Sequence, residues 1–392
     1  MKRTPRRALG RRLLLVISVL AALALPATVA GAEPSTPKRF IVHLEDSVAD
    51  PAAVATEHSR RFGAEVDFVY RHAIKGYAGI FRGTGASQVA EDSRVRRVEL
   101  DGTATKSALT QGNATWGLDR IDQRALPLSG TFSYTGAGTG VTAYVVDTGI
   151  RFSHSQFGGR AVSGPDYVQN DGRADDCDGH GTHVAGTLGG SSYGVARDVR
   201  LVAVRVLDCA GNGTWSGVIA GIDWVTGDHD PGEAAVANVS LGGGASTTVD
   251  AAVRGSVADG VSYAIAAGNG NRGGVAQDAC KYSPARVSEA MTIGATTKSD
   301  QKSSYSNYGV CVDWFAPGDG ITSAGMSGDA ATATMSGTSM ATPHAAGVAA
   351  LYLQGSPAAS PAQVRAALYA LTTKGRVSLA KTANNHLLYT NL

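Results

Sequence analysis

Four short segments carry residue types able to perform nucleophilic acyl transfer. In Val145-Val146-Asp147-Thr148-Gly149 an apolar run ends directly in a carboxylate. A strand end can hold such a group rigid and partly desolvated, as the orientation of a histidine requires. In Asp178-Gly179-His180-Gly181-Thr182-His183-Val184-Ala185-Gly186 the small residues let a helix begin tightly against other backbone. His180 then sits in its first turn, open to proton exchange. Ser336-Gly337-Thr338-Ser339-Met340-Ala341-Thr342-Pro343-His344 leads into the apolar run Ala345 to Leu353. Pro343 is tolerated near a helix start, so Ser339 falls at an N-terminal end whose free N–H groups suit a developing oxyanion. Ala266-Ala267-Gly268-Asn269 closes another apolar run with an amide that can donate to that oxyanion alongside the Ser339 backbone N–H.

Taken singly, each segment has a plainer reading: Asp147 and Asn269 as turn residues, Ser339 as a helix cap. His180 and His183 could ligate a metal from one helix face, but no Glu lies between them and no third ligand is evident. His183 therefore reads as a structural neighbour. Together the four segments are far more specific. The chain order Asp, His, Ser differs from two other common orders of the same chemistry, and no Gly-x-Ser-x-Gly elbow surrounds Ser339. The glycines of Gly136-Ala137-Gly138-Thr139-Gly140 precede a strand instead of following it, which is wrong for dinucleotide binding.

The elements that must position these groups follow from the apolar patterning. Short runs at Gly140 to Val146, Val199 to Val206, Val236 to Leu241, Val261 to Ala266 and Ala290 to Gly294 alternate with helical patterns. That alternation predicts an α/β unit with a mostly parallel sheet covered on both faces, and active groups collected at the carboxyl ends of its strands. Ahead of it, residues 38–101 read as strand (Arg39 to Leu44), helix (Pro51 to Phe62), strand (Val66 to Tyr70), strand (Gly76 to Arg82), helix (Gly85 to Ser93) and strand (Val95 to Leu100). This is the order of a small ferredoxin-like α+β unit. Gly102 to Asn113, poor in apolar patterning, reads as a linker between the two.

Residues 1–32 have the pattern of a secretory signal: a basic stretch from Lys2 to Arg12, an apolar run from Leu13 to Leu25, and Ala30-Gly31-Ala32 at the cleavage point. The run of about 13 residues is too short to span a bilayer. Arg6-Arg7 and Arg11-Arg12 leave the export route open between general and twin-arginine export. With 17% charged residues and a net charge of +2, the chain has no electrostatic footprint for nucleic acid or for a membrane surface. Cys177, Cys209, Cys280 and Cys311 form an even set, which in an exported chain predicts two disulfides while leaving three pairings open.

From about Trp116 to the end the chain resembles the proteinase K branch of the subtilases, and within it the aqualysin-type extracellular enzymes. The resemblance rests on Trp116-Gly117-Leu118-Asp119-Arg120-Ile121-Asp122-Gln123, Val239-Ser240-Leu241-Gly242-Gly243-Gly244 and Gly337-Thr338-Ser339-Met340-Ala341-Thr342-Pro343-His344. It implies a secreted serine endopeptidase, acting as a monomer, with a three-layer subtilisin-like fold over 108–392. Asp147, His180 and Ser339 would form its triad, with Asn269 in the oxyanion hole. Residues 33–107 resemble the family's propeptide, an inhibitor and folding assistant that the enzyme removes from itself. A peptide substrate would lie between Gly211-Asn212-Gly213 and Ser240-Leu241-Gly242, with Trp215 beside a distal apolar subsite. The primary pocket, between Ser240 to Gly243 and Ala266, Ala267 and Gly268, would accept apolar and aromatic side chains. The resemblance also implies the pairings Cys177–Cys209 and Cys280–Cys311. Finally it implies structural Ca2+ at two sites: Asp313 with the carbonyls of Ser288 and Ala290, and Asp119, Asp122, Gln123, Ser129 and Thr131.

Overall fold

A computed structural model describes residues 36–102 and 109–392. The signal expected over 1–32 and the junction expected near residue 107 lie outside the described residues. The chain divides into two compact units, Met1–Thr105 and Lys106–Leu392.

In the first unit, four antiparallel strands lie in the order Glu65–Tyr70, Gly76–Phe81, Lys38–Leu44, Val95–Leu100. Two helices, Pro51–Phe62 and Gly85–Ala90, complete the expected strand-helix-strand-strand-helix-strand order. The first helix starts where the Asp50 side chain accepts from the N–H groups of Ala52 and Ala53, with Pro51 as its first residue. It stops at Gly63, whose φ of 70° is open to glycine. Val42, Leu44, Val54, Tyr77, Phe81 and Val89 form the core. The second helix ends at Ala90, short of the expected Ser93. There Asp92 turns its carboxylate onto the N–H of Arg94, a local bond that competes with helix continuation.

In the second unit, seven parallel strands run in the order Trp314–Pro317, Met291–Thr296, Ser262–Ala266, Ala235–Val239, Thr142–Asp147, Arg200–Arg205, Ala161–Asp166. Side chains of one strand serve both faces by turns. Ala143 and Val145 join the core beneath helices His180–Gly189 and Thr338–Gly355, while Tyr144 and Val146 join the core beneath Trp215–Asp228 and Thr247–Asp259. Three layers result, and each buried valine contributes about 1.5–3 kcal/mol relative to exposure. The stretch expected to be a linker is structured at its end: Leu109–Gly112 pairs antiparallel with Thr131–Tyr134. Its weak apolar patterning hid a strand because pairing with Thr131–Tyr134 supplies the backbone hydrogen bonds.

Candidate active site

Asp147 is the last residue of the central strand Thr142–Asp147 and is fully buried. Its Oδ1 accepts from His180 Nδ1 at 2.7 Å and from the Thr148 N–H at 2.7 Å. His180 opens the helix His180–Gly189, and two features hold that helix start against the strand end. A Cβ on Gly181 would lie 2.1 Å from the Gly149 carbonyl oxygen, so only glycine lets the two backbones meet, and the Gly181 N–H donates to Thr148 Oγ1 at 2.9 Å. Asp176 then clamps both elements. Its Oδ1 accepts from Thr148 Oγ1 (2.9 Å) and Gly179 N–H (2.9 Å), and its Oδ2 from the N–H (2.9 Å) and hydroxyl (2.5 Å) of Thr182. Burial disfavours a charged His180 ring, but the Asp147 carboxylate and its hydrogen bond outweigh it, with help from Asp178 and Asp176, and raise the imidazole above its ordinary value. His183 is fully buried, holds the Ile321 carbonyl through Nε2 at 2.9 Å, and is pushed down to about 4 by burial. It is a packing residue.

Ser339 is the second residue of helix Thr338–Gly355. Pro343 has no N–H to give to the Ser339 carbonyl four residues back, and that carbonyl accepts instead from Ser240 Oγ at 2.9 Å. In return Ser339 Oγ donates to the Ser240 carbonyl at 3.0 Å, and Asn238 Nδ2 donates to Ser240 Oγ at 2.8 Å. Asn269 Oδ1 accepts from the Thr338 N–H (2.8 Å) and hydroxyl (2.9 Å). Both donors hold its oxygen, so its amide NH2 is turned the other way, free to donate. The turn carrying Asn269 is fastened by fully buried Asn307, which donates to the Ala267 carbonyl (2.8 Å) and accepts from the N–H groups of Gly270 (3.1 Å) and Gln277 (2.8 Å).

These groups open onto one cleft of about 950 Å³. His180, Asn269 and Ser339 line it, as do the expected wall residues Gly211, Asn212, Gly213, Trp215, Ser240, Leu241, Gly242, Gly243, Ala266, Ala267 and Gly268. Trp215 lies against Gly243, where a Cβ would come within 2.8 Å of its ring. Arg272 and Asp178 also line the cleft. Neither was expected there, because both sit in loops whose course no periodicity reveals. Asp176 and Asn307 were missed for the same reason; the one available signal is the acidic run Asp175-Asp176-Cys177-Asp178 just before a helix start. In the structure Cys177 is bonded to Cys209 and Cys280 to Cys311, with Cα separations of 4.9 and 5.3 Å.

Residues 138–387 match the model of the subtilase family, well over half the chain. The chain is a subtilase. It is similar to the extracellular serine proteinase of Thermus sp. (strain Rt41A), 52% identical over 351 residues that cover 88% of this chain and 84% of that one. It is 50% identical over 333 residues to alkaline serine exoprotease A of Vibrio alginolyticus, covering 84% of this chain and 61% of that protein. A cold-adapted subtilisin-like serine proteinase of known structure matches with a TM-score of 0.68 and 54% identity, over 72% of this chain and all of that one. The chain is accordingly a serine-type endopeptidase, and its second unit has the three-layer subtilisin-like fold. Among the described residues no helix is long and apolar enough to cross a membrane.

Subtilases generally hold structural calcium, and the two residue sets differ in their fitness for it. Around Asp119, Asp122, Gln123, Ser129 and Thr131 the oxygens converge. Asp119 accepts from the N–H (3.0 Å) and hydroxyl (2.9 Å) of Ser129 and from the Gly130 N–H (2.7 Å). Gln123 Oε1 accepts from the Ser129 N–H at 3.2 Å, and the hydroxyls of Ser129 and Thr131 lie 2.8 Å apart. Asp122 Oδ2 accepts from the Ser133 N–H at 2.7 Å, while its Oδ1 is buried without a partner. Burial, with Asp119 adding to it, pushes the Asp122 carboxyl up to about 6. The donors on Asp119 are all neutral and the Asp122 oxygen is left without one, so this set of hard oxygens fits calcium. The Asp313, Ser288 and Ala290 set does not fit. Asp313 Oδ1 accepts from the Arg365 guanidinium and its Oδ2 from the Thr292 N–H at 2.8 Å, so one oxygen already faces a protein cation and neither is left without a partner.

Proposed function

We propose that this chain is exported as a precursor, frees itself of residues 33–107, and then hydrolyses peptide bonds through an acyl-enzyme on Ser339. The observation that carries this reading is the 2.7 Å bond between Asp147 and His180 at the mouth of the cleft that Ser339 and Asn269 share. Ser339 Oγ leaves the Ser240 carbonyl, passes its proton to His180 Nε2 and bonds to the substrate carbonyl carbon. The Asn269 amide and the Ser339 N–H donate to the oxyanion, and Asp147 stabilises the imidazolium. His180 then protonates the leaving amine, the peptide C–N bond breaks, and water repeats the sequence in reverse to release the acid.

The substrate backbone lies as a strand between Gly211-Asn212-Gly213 and Ser240-Leu241-Gly242. The side chain before the scissile bond enters between Ser240 to Gly243 and Ala266 to Gly268, whose uncharged walls favour apolar and aromatic groups. The first unit acts as inhibitor and folding assistant until it is cut away. Asp119, Asp122, Gln123, Ser129 and Thr131 would hold calcium, which when bound would supply fixed positive charge to the segment that follows the junction. The mature enzyme works as a monomer, and it works outside the cell, the location being supported by a relative named as extracellular.

A serine-directed sulfonyl fluoride tests the central assignment. It should label Ser339 and abolish hydrolysis of a small peptide substrate, and Ser339→Ala should neither take the label nor hydrolyse the peptide. Hydrolysis by that variant near the parent rate would overturn the proposal.

A further inference from the structure

Asp313 lies between Val312 and Trp314, both fully buried, and its side chain is 11% exposed. A carboxylate so placed needs a counter-charge. The structure supplies one from a distant part of the sequence, the guanidinium of Arg365 on helix Pro361–Leu371. That helix is firmly seated. Ser360 and Gln363 form a reciprocal cap at its start, and Val364 and Leu368 are buried in the main core. Arg365 therefore faces Asp313 from a fixed element, while the second carboxylate oxygen is taken by the Thr292 N–H.

We propose that Arg365 is the built-in cation of this site, so that Asp313 binds no calcium and this region of the subtilase is held without metal. A divalent ion on Asp313 would have to displace the guanidinium, since two cations cannot share one buried carboxylate without strong repulsion. By contrast Asp122 keeps a buried oxygen with no protein donor. Calcium stabilisation of this chain then enters through the Asp122 cluster and not through Asp313. The inference rests on the family's use of structural calcium, but its readouts are metal content and melting, so it can fail while the peptidase assignment stands.

The test uses the full chain carrying Ser339→Ala, which stops self-digestion, with bound calcium per chain measured by atomic absorption after desalting from calcium buffer. Asp313→Asn should leave the calcium content unchanged, and Asp122→Asn should lower it by one equivalent. Arg365→Leu should gain one equivalent and acquire a melting temperature that rises with added calcium. Arg365→Lys, which keeps the cation, should gain none. Loss of one equivalent in Asp313→Asn would overturn the proposal even if the leucine variant failed to fold. A gain of calcium by the lysine variant would overturn it too.

Discussion

At the residue scale, the Asp147 carboxylate faces His180 with one oxygen, while the other is buried and without a partner. The other donor to this carboxylate is the neutral Thr148 N–H, so its charge acts on the ring and raises the imidazole despite burial. In the proposed mechanism the neutral ring takes the Ser339 proton, so kcat/KM should fall as pH drops through the raised value. The acidic limb should thus have its midpoint above the ordinary 6.5. Asp147→Asn should shift that limb downward and lower kcat by about four orders of magnitude; a pH-rate profile of both enzymes decides, and an unmoved limb would refute the assignment. Asn269 makes a separate prediction. Because Thr338 holds its oxygen and leaves its NH2 free, Asn269→Ala should lower kcat about a hundred- to a thousandfold, a magnitude carried over from subtilisin, with KM little changed. A large rise in KM at constant kcat would instead make Asn269 a cleft-wall residue.

At the element scale, the site depends on one helix start meeting one strand end. Gly181 permits the approach and Asp176 locks it. A methyl group at position 181, 2.1 Å from the Gly149 oxygen, must push helix His180–Gly189 away and lengthen the bond from the Gly181 N–H to Thr148. Gly181→Ala should therefore destabilise the second unit by about 1–3 kcal/mol, as overpacking does, and lower kcat as His180 moves from Asp147. Calorimetry and peptide kinetics on the inhibited and active forms would check both; full activity with an unchanged melting curve would show that the contact is not needed.

At the scale of the whole molecule, the precursor and the metal bring two further expectations. If Ser339 makes the cut that frees the second unit, Ser339→Ala should accumulate as an uncut chain still carrying residues 33–107, seen by mass spectrometry of protein expressed without other proteases. Normal maturation of that variant would exclude self-processing. A chelator should lower the melting temperature of the parent, and Asp122→Asn should melt close to the chelated parent and respond little to added calcium. Equal calcium responses in parent and variant would remove the Asp122 cluster from the account.

The sequence by itself determined the local terms of this protein. Val145-Val146-Asp147 is buried on both faces as a continuous apolar run demands, and Pro343 admits a helix only near its start, which leaves Ser339 at an N-terminus. The alternation of strands and helices likewise determined a parallel sheet, with the candidate groups at the carboxyl ends of its strands. What only the tertiary structure decided are contacts between segments far apart in the chain. Asn307 brackets the turn of Asn269 from 38 residues away, and Arg365 meets Asp313 from 52 residues away. Leu109–Gly112 becomes a strand only because Thr131–Tyr134 lies beside it. Periodicity reports which face of an element is buried, not which side chain of another element will supply its missing hydrogen bond or counter-charge, and for Asp313 that supply is what sets a protein cation where a metal was expected.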